Sequence, residues 1–147
     1  MPTSNEGPGG PGAWAIQTHL WHLLQSVLDE AAPALGAVGL TPKAFFLLAG
    51  VEEHPFPAEL ARGMHLTPPT VTYLVKQMEA KGFVTRRSEP GDLRKFRIVL
   101  TAAGRGAVRR GHAAIGAVMG GRLARLAPGE AGAFDRVLRI LVPPGAG

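Results

Sequence analysis

From Ala13 to Ala32 apolar residues return every three or four positions, at Leu20, Leu23, Leu24, Val27, Leu28 and Ala31. That spacing predicts a helix with one apolar stripe. Pro33 and Gly36 are expected to end it. Trp14 and Trp21 lie seven residues apart and so point in similar directions. A second helix is predicted in "GLTPKAFFLLAGVEEHP", where Thr41 suits the N-cap and Pro42 the first helical position. Phe45, Phe46, Leu48 and Ala49 are expected to form its apolar face. "FPAELARGMHL" reads as a short third helix with Leu60 and Ala61 inward.

The next segment, "TPPTVTYLVKQMEAKGFV", has the clearest pattern in the chain. Val71, Leu74, Val75 and Met78 fall at i, i+3, i+4 and i+7 and predict one buried stripe. Thr67 suits the N-cap. Pro68 and Pro69 stand where a missing N–H costs little. Gly82 suits the left-handed position after the helix. The opposite face then presents Pro69, Thr72, Tyr73, Lys76 and Gln77. A short helix, a turn at Met64–Leu66 and a longer helix in series have helix-turn-helix spacing. Hydroxyls, an amide and a lysine on the second helix are groups that contact phosphates and base edges. An ordinary solvated helix face has the same composition.

The pattern then changes period. In "FVTRRSEPGDLRKFRIVLT", Phe96, Ile98 and Leu100 alternate with polar residues, which predicts a strand. Glu89-Pro90-Gly91-Asp92 matches a type II turn, with Pro second and Gly third. A hairpin directly after a helix-turn-helix makes a winged helix. Its tip would carry Arg94 and Lys95 to phosphates or into a minor groove. Arg86 and Arg87 fall on alternate strand faces, so at most one faces DNA. Arg97 falls opposite Phe96 and Ile98.

Beyond Thr101 helical spacing resumes through Ala107, Val108, Ala114, Ile115, Val118, Met119 and Leu123. Glycines in this stretch weaken an isolated helix by up to about 1 kcal/mol each relative to Ala. They also allow close approach of another helix. A last helix is expected in "APGEAGAFDRVLRILVPP", with Phe134, Val137, Leu138 and Leu141 apolar. The first helix and the last two lie outside the reading unit, and their stripes call for a second copy of the chain.

Charge sharpens this picture. Residues 1–66 hold two bases and six acids, residues 67–101 seven bases and three acids, and residues 102–147 seven bases and two acids. A basic middle section suits an anionic partner such as nucleic acid, although arginine-rich chains are often basic in general. The chain has no cysteine, which removes disulfides and thiolate chemistry. No apolar run reaches the ~20 residues of a membrane span. "MPTSNEGPGGPG" lacks the features of a signal peptide and reads as a tail, so a cytoplasmic location is expected.

These residues together resemble the MarR family of winged-helix transcription regulators. The likeness rests on "ELA" at 59–61, "TPPTVT" at 67–72, "LV" at 74–75, "ME.KG.V" at 78–84, Asp92 with Arg94, and "I.LT..G" ending at Gly104. The implied fold is mainly α (α+β), a winged helix-turn-helix with a two-stranded wing. Its expected parts are a tail at 1–12, a dimerisation helix at 13–36, the DNA-binding domain at 37–101, C-terminal dimerisation helices at 102–142 and a tail at 143–147. The resemblance implies a homodimeric repressor on double-stranded DNA with a pseudo-palindromic operator. Many members are released by a small aromatic or phenolic anion. Carried over by position, Thr67, Pro68, Pro69, Thr70, Thr72, Tyr73 and Lys76 would meet the major groove or its phosphates. Asp92 would orient the guanidinium of Arg94 in the minor groove; Lys95, as a phosphate contact, and Arg86 are further DNA-binding candidates. Position 73 departs from the family, in which many members have arginine. Tyrosine lacks the fork that reads guanine.

Other chemistry is thinly supported. His19 and His22 sit three apart, a spacing that suits a ligand pair on one helix face, but His54, His65 and His112 are scattered, and no metal or cofactor is expected. Trp14, His19, Trp21 and His22 are candidates for an effector pocket or for dimer core. Arg62 suits either a phosphate contact or a solvated face. No nucleophile elbow, phosphate loop or HExxH motif is present, so no catalytic residue is assigned. The alternative function is a winged helix that binds protein rather than DNA; it would have no use for Lys76 and Arg94 on one surface.

Overall fold

The computed structural model describes residues 10–144, apart from the side chain of Leu93. The expected tails fall largely outside that range. Six helices and one hairpin follow in order: α1 (Ala13–Ala37), α2 (Pro42–Gly50), α3 (Pro57–Gly63), α4 (Pro68–Ala80), β1 (Val84–Glu89), β2 (Asp92–Leu100), α5 (Ala102–Leu123) and α6 (Glu130–Leu141).

Threonine starts three of these helices. Thr41, Thr67 and Thr101 each accept a hydrogen bond from the backbone N–H three residues on, at 3.2, 3.4 and 3.0 Å. Each thereby satisfies a donor that the helix cannot pair internally. Thr101 also donates its hydroxyl to the Gly82 carbonyl at 2.6 Å, which ties the start of α5 to the end of α4.

Helix α1 does not stop at Pro33. It runs on to Ala37 with the proline inside it. Pro33 is exposed, as is Asp29 one turn earlier, whose carbonyl would have received the missing N–H. Burial of Ala31 and Leu35 on either side favours continuation. The end comes at Gly39, with φ of 86°. The Leu40 N–H donates to the Leu35 carbonyl and the Gly39 N–H to that of Gly36. This is the Schellman pattern, closed by burial of Leu40. Gly82 at φ 75° ends α4 in the same way, as expected.

One core joins α1, α2, α3, α4, the wing and α5. Val71, Leu74, Val75 and Met78 all enter it, as do Leu60 and Ala61. In α2 the inward residues are Ala44, Phe45, Leu47 and Leu48. Phe46 differs from expectation: it is 41% exposed, while Leu47 is fully buried. Glycines in α5 permit two close approaches. A Cβ on Gly104 would lie 2.0 Å from the Phe83 carbonyl oxygen, and one on Gly111 would lie 2.2 Å from the Phe45 ring. At Gly116, Gly120 and Gly121 a Cβ would meet nothing within 4 Å. Helix α5 lies along α1, where Arg122 donates to Ser26 at 2.7 Å and to Glu30 at 2.9 Å.

Candidate nucleic-acid interface

The α3–α4 unit begins with local geometry. His65 takes a positive φ of 53° in the turn, and the Leu66 N–H reaches back to the Ala61 carbonyl at 2.9 Å. The turn therefore fixes how α4 leaves α3. Because the stripe Val71, Leu74, Val75 and Met78 is held inward, the other side of α4 must face out. There Pro68, Pro69, Thr72, Tyr73 and Lys76 line one shallow concavity of about 480 Å³. Thr70 is turned toward Thr67, their hydroxyls 2.8 Å apart. Tyr73 is 61% exposed, and its hydroxyl accepts from the Gln77 amide at 2.8 Å.

The wing is an antiparallel pair in which Val84 faces Leu100 and Arg86 faces Ile98. The register breaks between Ser88 and Glu89, where Glu89 pairs with Asp92 across the turn. Gly91 takes φ of 87°, as a type II turn requires at that position. Ile98 and Leu100 are buried and Phe96 is half-buried, in keeping with the alternation. Braces set the direction of the hairpin. The Ile98 N–H donates to the Pro55 carbonyl at 2.8 Å. Arg97 pairs with Glu89 at 2.9 Å and stacks over Phe56.

Two expected roles look different in three dimensions. Asp92 accepts from the backbone N–H of Arg94 at 3.0 Å rather than from its guanidinium. It thus shapes the turn and orients Arg94 through the main chain. Arg86 is drawn back onto the protein, paired with Glu79 of α4 at 3.1 Å and lying over the Phe96 ring at 4.8 Å. It braces the wing against α4. Among the described residues no salt bridge occupies Lys76, Arg94 or Lys95. Arg94 and Lys95 share a cleft of about 420 Å³ with Arg62, Glu59, Phe56 and Phe96. Arg62 is thereby joined to the wing cations, which one-dimensional spacing gave no means of seeing.

A second, larger hollow lies behind α4. It is an open groove of about 1280 Å³ between α1, the start of α2, the α3–α4 turn and α4. Trp21, Phe46 and Tyr73 bring aromatic surface, and Lys43 and His65 bring cationic or polar groups. Of the four candidates for an effector pocket or dimer core, Trp21 lines this groove; Trp14, His19 and His22 do not. Helical geometry explains the split. Trp14 shares the angular face of Trp21 but sits about 10.5 Å further along the axis, while His19 and His22 are rotated away by roughly 160° and 100°. Phe46, Lys43 and His65 were missed because the groove is assembled from four separate segments. No group of three or more potential metal ligands forms among the described residues. No single described helix is long and apolar enough to cross a membrane.

The MarR family sequence profile matches residues 38–95, which span α2 to the wing. The HTH-type transcriptional repressor Rv2887 of Mycobacterium tuberculosis is 32% identical over 114 residues, covering 76% of this chain and 82% of that protein. The chain belongs to the MarR family. A solved complex of the MarR family protein Rv2887 with p-aminosalicylic acid superposes with a TM-score of 0.71 at 29% identity, covering 86% of this chain and 97% of that one. Mutant MarR from E. coli, solved with operator DNA, has the same fold, with a TM-score of 0.75 at 18% identity and coverage of 88% and 94%. As a MarR family member the protein is a DNA-binding transcription regulator and not an enzyme. Its two-stranded wing and α3–α4 pair are the winged helix-turn-helix of that family.

Proposed function

We propose that this protein is a homodimeric repressor that binds a pseudo-palindromic operator and is released by a small aromatic anion. The observation that carries the DNA reading is the shared exposure of Lys76 on α4 and Arg94 and Lys95 on the wing, none held in a salt bridge among the described residues. Thr67, Pro68, Pro69, Thr70, Thr72, Tyr73 and Lys76 meet the major groove and its phosphates. Arg94 enters the neighbouring minor groove, with Lys95 and Arg62 on the backbone. Asp92 and Arg86 position the wing.

The dimer reading rests on apolar surface without a partner in the single chain. Helix α6 has no buried residue, and Ile140 is 77% exposed. Trp14 and Ile16 at the start of α1 are exposed as well. Such patches on a small protein signal an interface, and a second copy is the simplest occupant. The effector reading rests on the groove beside Trp21, which offers aromatic walls, the Lys43 ammonium and the His65 imidazole. It is supported by the p-aminosalicylic acid held by Rv2887. Action on DNA is in keeping with a cytoplasmic location.

Selection of bound DNA from a random pool tests the reading directly. A palindromic consensus is expected, with log affinity falling by roughly 0.9 per neutralised phosphate for each unit of log salt. No enriched sequence and a flat salt response would instead support a winged helix that binds protein. Light scattering at micromolar concentration should report twice the chain mass; a stable monomer would contradict the dimer.

A further inference from the structure

We infer that Tyr73 couples the effector groove to the DNA-reading face. The inference rests on the effector reading above and names the residue through which it acts. The groove behind α4 and the concavity on its DNA side are separate surfaces, and among the described residues Tyr73 lines both. Tyr73 stands in the groove wall with Trp21 and Phe46, and in the concavity with Thr72 and Lys76.

The Tyr73 hydroxyl is already engaged by the Gln77 amide at 2.8 Å, and Gln77 also lines the groove. A ligand packed on the ring holds Tyr73 and Gln77 toward the groove. The hydroxyl accepts from Gln77 and keeps its own proton, and donating that proton to a DNA phosphate draws the ring outward, away from the groove wall. The two bound states then compete for the position of one ring, and linkage makes the antagonism reciprocal. An arginine at this position would reach DNA with a long flexible side chain and offer the groove no comparable ring.

The test uses p-aminosalicylate as probe and the DNA selected above. The chain has two tryptophans, so Trp14→Phe leaves Trp21 as the reporter of the groove. In that parent the probe should quench Trp21 and weaken DNA binding on the order of tenfold. Adding Tyr73→Phe keeps the ring in the groove wall but removes the hydroxyl. Quenching should persist, while the ratio of DNA affinities with and without probe falls to within about twofold of unity. Lys76→Ala, which faces DNA but not the groove, should weaken DNA binding and leave the ratio at its parental value. A parental ratio in the Tyr73→Phe protein overturns the inference, and so does an equal loss of ratio in Lys76→Ala. Quenching without any effect on DNA in the parent overturns the coupling but leaves the groove as a ligand site. Absence of quenching in the parent defeats the effector reading itself, and the coupling with it.

Discussion

The segment from α2 to β2 and the two ends of the chain are built by opposite rules. In the first, every amphipathic stripe finds its cover within the chain: Leu47, Leu48, Val71, Val75, Met78, Val84 and Ile98 are all essentially buried. At the ends, α6 buries nothing and the first turns of α1 expose Trp14 and Ile16. The contrast separates a unit whose core is completed by Ala31 and Leu35 of α1 and Ala107 of α5 from helix ends whose apolar faces point outward. A regulator needs both. On the proposed reading, the head holds Lys76 and Arg94 in register and the ends supply surface for a second copy.

Truncating a core side chain breaks the closed half most severely. Leu48→Ala should cost about 2–5 kcal/mol in denaturant unfolding. Ile140→Ala, on the open half, should cost little in a monomer; in a dimer it should lower stability in a way that depends on protein concentration. A concentration-independent loss as large as that of Leu48→Ala would erase the distinction.

The glycines of α5 divide along the same line. Gly111→Ala drives a methyl into the Phe45 ring and should destabilise by about 1–3 kcal/mol through overpacking. Gly116→Ala meets nothing in the single chain and should stabilise the helix by up to about 1 kcal/mol. If thermal unfolding shows Gly116→Ala to be as harmful as Gly111→Ala, a second copy packs against that stretch.

On the wing, Arg94→Ala should weaken DNA binding by about 1–3 kcal/mol in gel shifts at fixed salt, without loss of stability. Arg86→Ala should do less. It removes a half-exposed ion pair with Glu79, which contributes at most about 1 kcal/mol after solvent screening. Its effect on DNA should come only through a looser hairpin. A larger DNA effect for Arg86 than for Arg94 would reverse the roles assigned to them.

Periodicity, caps and turn chemistry are local, so the chain announced them. The stripe from Val71 to Met78, the threonine caps, the type II turn at Pro90-Gly91 and the left-handed Gly82 each depend on neighbours within a few residues. They were enough to identify the winged helix and the side of α4 that is exposed. Tertiary packing decided the rest. It carried α1 through Pro33, because burial of Ala31 and Leu35 and the closure at Gly39 and Leu40 outweigh one missing hydrogen bond. It exchanged Phe46 for Leu47 in the core, because a nine-residue helix touching several neighbours has no single inward face. It turned Arg86 onto Glu79 and Phe96, and it gathered Trp21, Phe46, His65 and Tyr73 around one groove. Such placements depend on residues far apart in the chain meeting in space, and spacing along one segment carries no record of that.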